Sequence, residues 1–295
     1  MRLITRGDLD GLACALLLQE VEQIDSIELA HPKDVQDGKV DVTANDILAN
    51  LPHDERAGLW FDHHASEAAE AAPGTFKGAY AQAPSAARVI ANHYKSPKFE
   101  RYEDLMVETD RLDAAQLKLD DVLHPQGWIL VGYTLDPRTG LGSFREYFQH
   151  LMALARTKSV EGVLGDPEVR ERVLRVRRDD EDFRAMVQLF SRVEGNVIVT
   201  DLRGQHNLPA GNRFLIYTLY PEANVWVRIA DGKAGEFVAV QVGHSIFKRT
   251  CKTHIGNLMH EYGGGGHRGA GTCQPSLNDA ERVIGEIVET LKRNG

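Results

Sequence analysis

The sequence is poor in cysteine. Its three cysteines, Cys14, Cys251 and Cys273, show no CxxC spacing. This scarcity argues against a disulfide framework and against a thiolate zinc site. We therefore expect reduced, mostly buried thiols.

Positive charge is also scarce, because 34 Lys and Arg residues against 43 Asp and Glu residues give a formal net charge of −9. Proteins that clamp long nucleic acids neutralise many phosphates with Lys and Arg. The acidic balance therefore disfavours a long nucleic acid as partner. A short phosphorylated substrate, held by a few local cations, remains compatible.

Long apolar runs are missing as well. The longest extends from about Leu12 to Leu18, far short of the ~20 residues that a membrane-spanning helix needs. The N-terminus shows no signal-peptide pattern, so we expect a cytoplasmic protein with no membrane partner. At 295 residues the chain exceeds the usual size of one domain, which favours two.

The first half alternates strand-like runs with helical segments, one of which begins near Ser85. The strand-like runs are Met1 to Thr5, Ser26 to Ala30, Asp46 to Leu51 and Gly58 to Phe61. This alternation predicts an α/β fold with a parallel sheet. Ligands of such sheets bind beyond the carboxyl ends of the strands, where we place Asp8, Asp10, Asn50, Asp62, His63 and His64.

The second half begins with a segment rich in charge, from Asp166 to about Arg184, which suits a solvated helical connector. Strand-like runs follow at Asn196 to Thr200, Phe214 to Leu219, Val225 to Ile229 and Phe237 to Val242. A final helix is predicted behind a capping box of Ser276 and Asp279. We expect a catalytic domain at 1–160, a connector at 161–190 and a smaller C-terminal α/β domain at 191–295.

Two aspartates lie in the turn after the first strand. Asp8 and Asp10 are two residues apart, so in an extended segment both carboxylates point to the same side and can share a cation. Gly11 lets the backbone turn into the following helix. An ordinary turn is the alternative for this string, since Asp and Gly are common in turns.

Imidazole and carboxylate groups follow the apolar run Leu59 to Phe61, at Asp62, His63 and His64. This donor set suits Mn²⁺, Fe²⁺ or Zn²⁺ better than Mg²⁺ or Ca²⁺. Asp110, after a helical segment, could complete a metal pair. An ordinary solvated Asp near Arg111 and Asp113 is the alternative.

Four glycines precede a histidine near the C-terminus, at Gly263 to His267. Consecutive backbone N–H groups freed from Cβ atoms can wrap an anion, and His267 and Arg268 add donors. A plain flexible loop is the alternative.

In this order the strings resemble the DHH phosphoesterase superfamily, in those members that carry a DHHA1 domain. The strings are DxDG at Asp8, Asp10 and Gly11, DHH at Asp62, His63 and His64, the later Asp110, and GGGGH at Gly263 to His267. The likeness covers nearly the whole chain. The stretches Asp136 to Gly142 and Gly243 to Ser245 resemble a subgroup of exopolyphosphatase-like proteins and of phosphodiesterases, or nanoRNases, that act on short oligonucleotides.

The resemblance implies a first domain that binds two divalent metals, usually Mn²⁺, a second that recognises the substrate's phosphate and nucleotide end, and an active-site cleft between them. It assigns metal ligation to Asp8, Asp10, His63 and Asp110, and catalysis to Asp62, His63 and His64. Substrate binding falls to Arg228, Ser245, Gly264, Gly265, Gly266, His267 and Arg268. The resemblance leaves open whether the protein forms a homodimer.

Two positions depart from the family pattern. A histidine is expected a few residues before the DxDG string, where this chain has Ile4, Thr5, Arg6 and Gly7. An aspartate that bridges both metals is expected at the end of the strand before DHH. Asn50 is best placed there, with Asp46 a weaker candidate, and a neutral amide at Asn50 leaves one or two bound ions open.

Three functions follow from these expectations. The first is hydrolysis of a short phosphodiester, such as an oligoribonucleotide or a linear or cyclic dinucleotide, or of a 3′-phosphorylated nucleotide. The second is hydrolysis of inorganic polyphosphate, which the acidic balance mildly disfavours. The third is nucleotide binding by a regulatory protein with a weakened metal site.

Overall fold

A computed structural model describes residues 1–64, 67, 74–136 and 142–294. Most of the family-like stretch from Asp136 to Gly142 therefore lies outside the described residues. The described chain forms two compact units, residues 1–117 with 125–176, and residues 118–124 with 177–295. The three-part division given above stays a prediction.

A five-stranded sheet is the centre of the first unit. Its strands are β1 (Arg2–Thr5), β2 (Ser26–Leu29), β3 (Asp46–Ala49), β4 (Leu59–Asp62) and β5 (Gly78–Tyr80). They lie in the order β2-β1-β3-β4-β5, and all neighbours run parallel. The predicted α/β class and the N-terminal parallel sheet are confirmed.

Nine α-helices precede the second sheet in the described chain. They are α1 (Leu9–Val21), α2 (Pro32–Gln36), α3 (Ala86–Tyr94), α4 (Glu103–Asp113), α5 (Leu119–Leu123), α6 (Gly127–Thr134), α7 (Phe144–Ala155), α8 (Val160–Leu164) and α9 (Pro167–Phe190). α9 runs through the charged segment and contains the point at which the first unit ends and the second continues.

Side chains of the first sheet alternate between two apolar clusters, as the pleat requires. Leu3 and Phe61 belong to the main core, which also contains α1, α3, α4, α6 and α7. Their neighbours Ile4 and Trp60 belong to a smaller cluster on the opposite face. Because both faces are covered, consecutive residues inside β1, β3 and β4 are apolar, whereas the edge strand β2 carries Ser26 and Glu28.

A six-stranded sheet forms the second unit. Its strands are β6 (Ser191–Glu194), β7 (Val197–Asp201), β8 (Val225–Asp231), β9 (Val238–His244), β10 (Gly265–His267) and β11 (Ala270–Cys273), and its remaining helices are α10 (Leu215–Leu219), α11 (Ile255–His260) and α12 (Ala280–Arg293). The order is β10-β11-β9-β8-β7-β6. β7 and β8 run parallel, and the other neighbours run antiparallel.

The prediction of a strand at Phe214 to Leu219 is wrong, because this run is the helix α10. Asn212 fixes its start, since its side-chain oxygen accepts the Phe214 N–H at 3.0 Å. The Asn212 N–H in turn donates to Asp180 at 2.7 Å. A short apolar run has no periodicity that separates a buried helix from a buried strand, so these polar contacts decide.

The capping box predicted before α12 is only half formed. The Ser276 hydroxyl accepts the Asp279 N–H at 3.2 Å. The Asp279 carboxylate accepts the Ser276 hydroxyl hydrogen at 2.8 Å instead of a backbone N–H. α12 therefore begins one residue after Asp279, and its predicted apolar face packs on the second sheet.

The three cysteines are free and buried, as predicted. Among the described residues, no helix combines the length and the apolarity needed to cross a membrane.

Replacing Ile287 by Ala should lower the free energy of unfolding by about 2–5 kcal/mol, because it leaves a cavity in a fully buried part of the α12 core. The control Glu286→Ala removes an exposed ion pair with Arg282, and such surface pairs contribute little. Urea unfolding followed by circular dichroism measures both variants. Similar losses in the two would contradict this packing of α12.

Candidate metal centre and glycine hairpin

The candidate metal centre lies at the carboxyl edge of the first sheet. Asp8 and Asp10 follow β1, Asn50 follows β3, and Asp62 ends β4 immediately before His63. These three strands are neighbours, and the strand order reverses between β1 and β3. Ligands of open parallel sheets bind at such a reversal, because the loops on either side diverge and leave a crevice.

Asp10 is held by the first turn of α3. Its two carboxylate oxygens accept the backbone N–H groups of Ala86 and Ala87, each at 2.9 Å, and the residue is only 2% exposed. Free N–H groups at a helix N-terminus stabilise a buried negative charge. The Asp10 carboxylate therefore has a fixed direction.

His63 is oriented by a backbone carbonyl. Its Nδ1 donates to the carbonyl oxygen of Ala83 at 3.0 Å, which leaves Nε2 facing the acidic residues. Nε2 lies 3.0 Å from an Asp113 oxygen and 3.8 Å from an Asp10 oxygen. The ligand atoms of Asp10, His63 and Asp113, the three residues that we call the metal centre, all lie within 4.8 Å of one another.

His64 forms a second contact with the carboxylate of Asp62. Its Nδ1 donates to Asp62 Oδ1 at 2.8 Å, and Asp62 is fully buried. The side chain of His64 is 37% exposed, whereas that of His63 is 9% exposed. Asp62, His63 and His64 also meet the distance requirement for a metal group, and the rings of His63 and His64 lie 4.3 Å apart.

The proton affinities of the metal centre reflect its crowded negative charge. Burial, followed by the charge of Asp113, raises the pKa of Asp10 to about 7. Burial lowers the pKa of His63, but the contacts with Asp113 and Asp10 outweigh it and raise that pKa to about 9. A proton and a metal ion compete for the same imidazole lone pair, so metal binding here would release protons.

The residues fit a divalent metal ion by two observations. Two carboxylates and an imidazole form the donor set that Mn²⁺, Fe²⁺ or Zn²⁺ prefers. Within the part of the chain that the structure describes, the buried atom Asn50 Oδ1 has no hydrogen-bond partner. Buried polar atoms are nearly always paired, so this oxygen indicates a ligand.

The resemblance assigns Asp110 to the metal, but in the structure its carboxylate contacts Ser85 and Arg88 instead of His63. One of its oxygens accepts the Ser85 hydroxyl at 2.5 Å, and the other accepts the Arg88 guanidinium at 2.8 Å. The residue that reaches His63 is Asp113, three positions along α4. Sequence reasoning missed Asp113, because two aspartates three apart share a helix face and their spacing does not say which one reaches the site.

Asp46, the weaker candidate for the bridging ligand, lies at the opposite end of its strand from Asn50. It accepts two hydrogen bonds from the Arg2 guanidinium, each at 2.8 Å, and the Thr43 N–H at 2.7 Å. Asn50 is the side chain that reaches the carboxyl edge. Its Nδ2 donates to Asp8 at 3.0 Å.

The glycine run belongs to a hairpin of residues 263–273 in the second unit, which we call the glycine hairpin. The Gly263 and Gly264 N–H groups donate to carbonyl oxygens of α11, at 3.1 and 2.9 Å, so two of the four glycine amides close that helix. Gly265 to His267 form the edge strand β10. His267 and Arg268 are exposed at the turn.

Close packing explains two of these glycines. A Cβ on Gly264 would lie 2.0 Å from the Thr272 carbonyl oxygen, and one on Gly266 would lie 2.3 Å from that of Ala270. Gly266 also has φ +150°, which side chains rarely adopt. Gly264 and Gly266 are therefore required for the close packing of β10 with β11, whatever the run binds.

Two further residues predicted to bind substrate make contacts within the second unit. Arg228 Nη1 donates to Gln241 Oε1 at 2.8 Å across β8 and β9. Ser245 is 2% exposed, and its hydroxyl oxygen accepts the Phe247 and Lys248 N–H groups at 3.3 and 3.0 Å. Ser245 therefore closes a turn, and the binding roles of both residues stay predictions.

The chain has two α/β units, one of which carries acidic and imidazole groups at the carboxyl edge of a parallel sheet, and the comparisons identify the class as that of the phosphoesterases. The chain is 39% identical to the pGpG-specific phosphodiesterase PggH of Vibrio cholerae, with a TM-score of 0.84, over 100% of this chain and 99% of that one. No protein-family model and no curated protein matches the chain. The chain belongs to the DHH/DHHA1 phosphoesterase superfamily.

More distant structures share the fold. An exopolyphosphatase-related protein of Bacteroides fragilis is 11% identical, with a TM-score of 0.56 over 99% of this chain and 92% of that one. RecJ of Thermus thermophilus, solved with Mg²⁺, is 14% identical, with a TM-score of 0.54 over 99% of this chain and 50% of that one.

Gly266→Ala should open the glycine hairpin, because the positive φ alone costs roughly 1–3 kcal/mol and the Cβ meets a carbonyl oxygen. Gly265→Ala is the matched control, since its Cβ would meet no atom within 4 Å. Hydrogen exchange measured over residues 265–273 should accelerate in the first variant and stay near wild type in the second. Equal protection in both would contradict the packing described for Gly266.

Proposed function

We propose that the chain hydrolyses the phosphodiester bond of a short linear dinucleotide, of which pGpG is the leading candidate, and releases two mononucleotides. The observation that carries this proposal is the 39% identity to a pGpG-specific phosphodiesterase over essentially both whole chains. The metal centre supports the reaction type, and the net charge of −9 favours a short substrate over a long polyanion.

We propose Mn²⁺ as the metal, held by Asp10, His63 and Asp113. Bound there, a divalent ion supplies positive charge next to the attacked phosphate and makes water more acidic. The protein prepares the ligands in advance. The Ala83 carbonyl accepts the Nδ1 hydrogen of His63, so Nε2 is the ring atom that a metal ion would bind once its proton is released.

His64 is the candidate proton carrier. Asp62 accepts the Nδ1 hydrogen of His64, which orients the ring, as a buried carboxylate does for a catalytic histidine. We propose that Nε2 of this partly exposed ring donates a proton to the leaving ribose oxygen. His63 cannot share this role, because its Nε2 faces the carboxylates of the metal centre.

In the second unit, we propose the exposed turn of the glycine hairpin as the site for a substrate phosphate. His267 and Arg268 supply cationic donors there. The backbone N–H of His244 donates to the Gly269 carbonyl at 2.8 Å, which brings a second imidazole next to this turn. A cytoplasmic location and a homodimer also stay predictions.

A substrate panel with Mn²⁺ tests the function. We expect pGpG to be cleaved to GMP faster than a cyclic dinucleotide, a 3′,5′-bisphosphate nucleotide or inorganic polyphosphate, with products separated by anion-exchange chromatography. Binding of pGpG without turnover of any of the four compounds would overturn the hypothesis of an enzyme and favour that of a nucleotide-binding regulatory protein. Faster release of phosphate from polyphosphate would favour the second hypothesis.

Asp113→Asn should weaken Mn²⁺ binding by more than about 100-fold, beyond the 10–100-fold loss typical of residues behind the ligands. Asp110→Asn is the matched control on the same face of α4, and should weaken binding by about tenfold or less, since Asp110 contacts Ser85 and Arg88. Isothermal titration with Mn²⁺ measures both. The reverse order would show that Asp110 is the ligand.

A further inference from the structure

Asp8 differs from Asp10 in that a guanidinium is among the partners of its carboxylate oxygens. Oδ1 accepts the Gly11 N–H at 2.8 Å and the Asn50 Nδ2–H at 3.0 Å. Oδ2 lies 3.0 Å from Nε of Arg6. A guanidinium neutralises the negative charge that would otherwise attract a metal ion, and it holds the carboxylate in an ion pair.

The grouping of potential ligands agrees with this pairing. Among the described residues, Asp8 belongs to neither of the groups whose ligand atoms lie close enough to hold an ion. It still lies near the metal centre, since the charges of Asp113 and His64 act on it. Asp8 therefore lies beside the metal centre, but its carboxylate forms an ion pair with Arg6.

The two polar atoms of the Asn50 side chain differ in their contacts. Its Nδ2 faces Asp8, because the opposite orientation would place an oxygen against a carboxylate. Oδ1 is then the atom left over, fully buried and without a partner in the described chain. Asn50 adopts φ +58°, a conformation that asparagine tolerates better than most residues, and it offers one neutral oxygen rather than a bridging carboxylate.

Arg6 supplies a fixed cation at this place. Its side chain is 35% exposed, and Asp8 is the one ionic partner that the described residues give it. Nε contacts Asp8, and a guanidinium carries further N–H donors on its two terminal nitrogens. Guanidinium groups of this kind bind phosphate oxygens in pairs, in a fixed geometry.

We propose that Arg6 replaces a second metal ion in this protein. The chain then takes one divalent ion, at Asp10, His63 and Asp113 with Asn50 Oδ1 beside them, and Arg6 binds a phosphate oxygen of the substrate from the Asp8 side. The substrate part rests on the proposed function, whereas the metal count does not.

The metal count is measured on the purified chain, by isothermal titration with Mn²⁺ and by elemental analysis after desalting. We expect one ion per wild-type chain. In the double variant Arg6→Ala with Asn50→Asp, a free Asp8 and a new carboxylate should create a second binding event. Two ions in the wild type, or one in a folded double variant, would overturn the proposal, and circular dichroism checks that the variant is folded.

The phosphate contact is measured with Arg6→Gln, which should raise KM for pGpG about 10–100-fold, the range of a hydrogen bond to a charged group, while one Mn²⁺ still binds. Arg6→Lys should recover part of the loss. Arg56→Gln, on an exposed arginine paired with Asp54, is the control and should leave KM unchanged.

Two outcomes would separate the possible failures. An unchanged KM in Arg6→Gln, or loss of the Mn²⁺ from that variant, would overturn the role of Arg6 in substrate binding. If the wild type cleaves no dinucleotide, the proposed function fails, but the metal count still decides whether Arg6 takes the place of a second ion.

Discussion

The contact on which the candidate site depends is the pair of hydrogen bonds from the start of α3 to the carboxylate of Asp10. Asp10 lies in the first turn of α1, which follows β1. The helix α3 begins after β5, the strand at the far edge of the sheet. The Ala86 and Ala87 amides join these elements. Without the positive end of a helix, a buried carboxylate would be costly to maintain.

Asp110 acts behind this contact. It accepts hydrogen bonds from Ser85, the residue that caps α3, and from Arg88 one turn later. It therefore fixes α4 against the same helix end that holds Asp10. The two aspartates of α4 divide the work, since Asp113 faces His63 and Asp110 faces the helix that supports the centre.

The charges around the centre are arranged to attract a cation without an excess of free carboxylates. Asp10 and Asp113 face His63, whereas Asp8 is paired with Arg6 and Asn50. Buried charges are stable only when they are paired or bind metal. The pairing of Asp8 explains how four ionisable groups can share one crevice at the end of a parallel sheet.

The sequence by itself determined the family, the α/β class and the strand ends at which polar side chains collect, because apolar runs and the DxDG, DHH and GGGGH strings are local patterns. Only the tertiary structure showed that Asp113 contacts His63 while Asp110 contacts Ser85 and Arg88, and that Phe214 to Leu219 contains a helix rather than a strand. It also showed that the glycines pair as a hairpin. These outcomes depend on which distant side chain or helix end each residue meets, and local spacing carries no information about that.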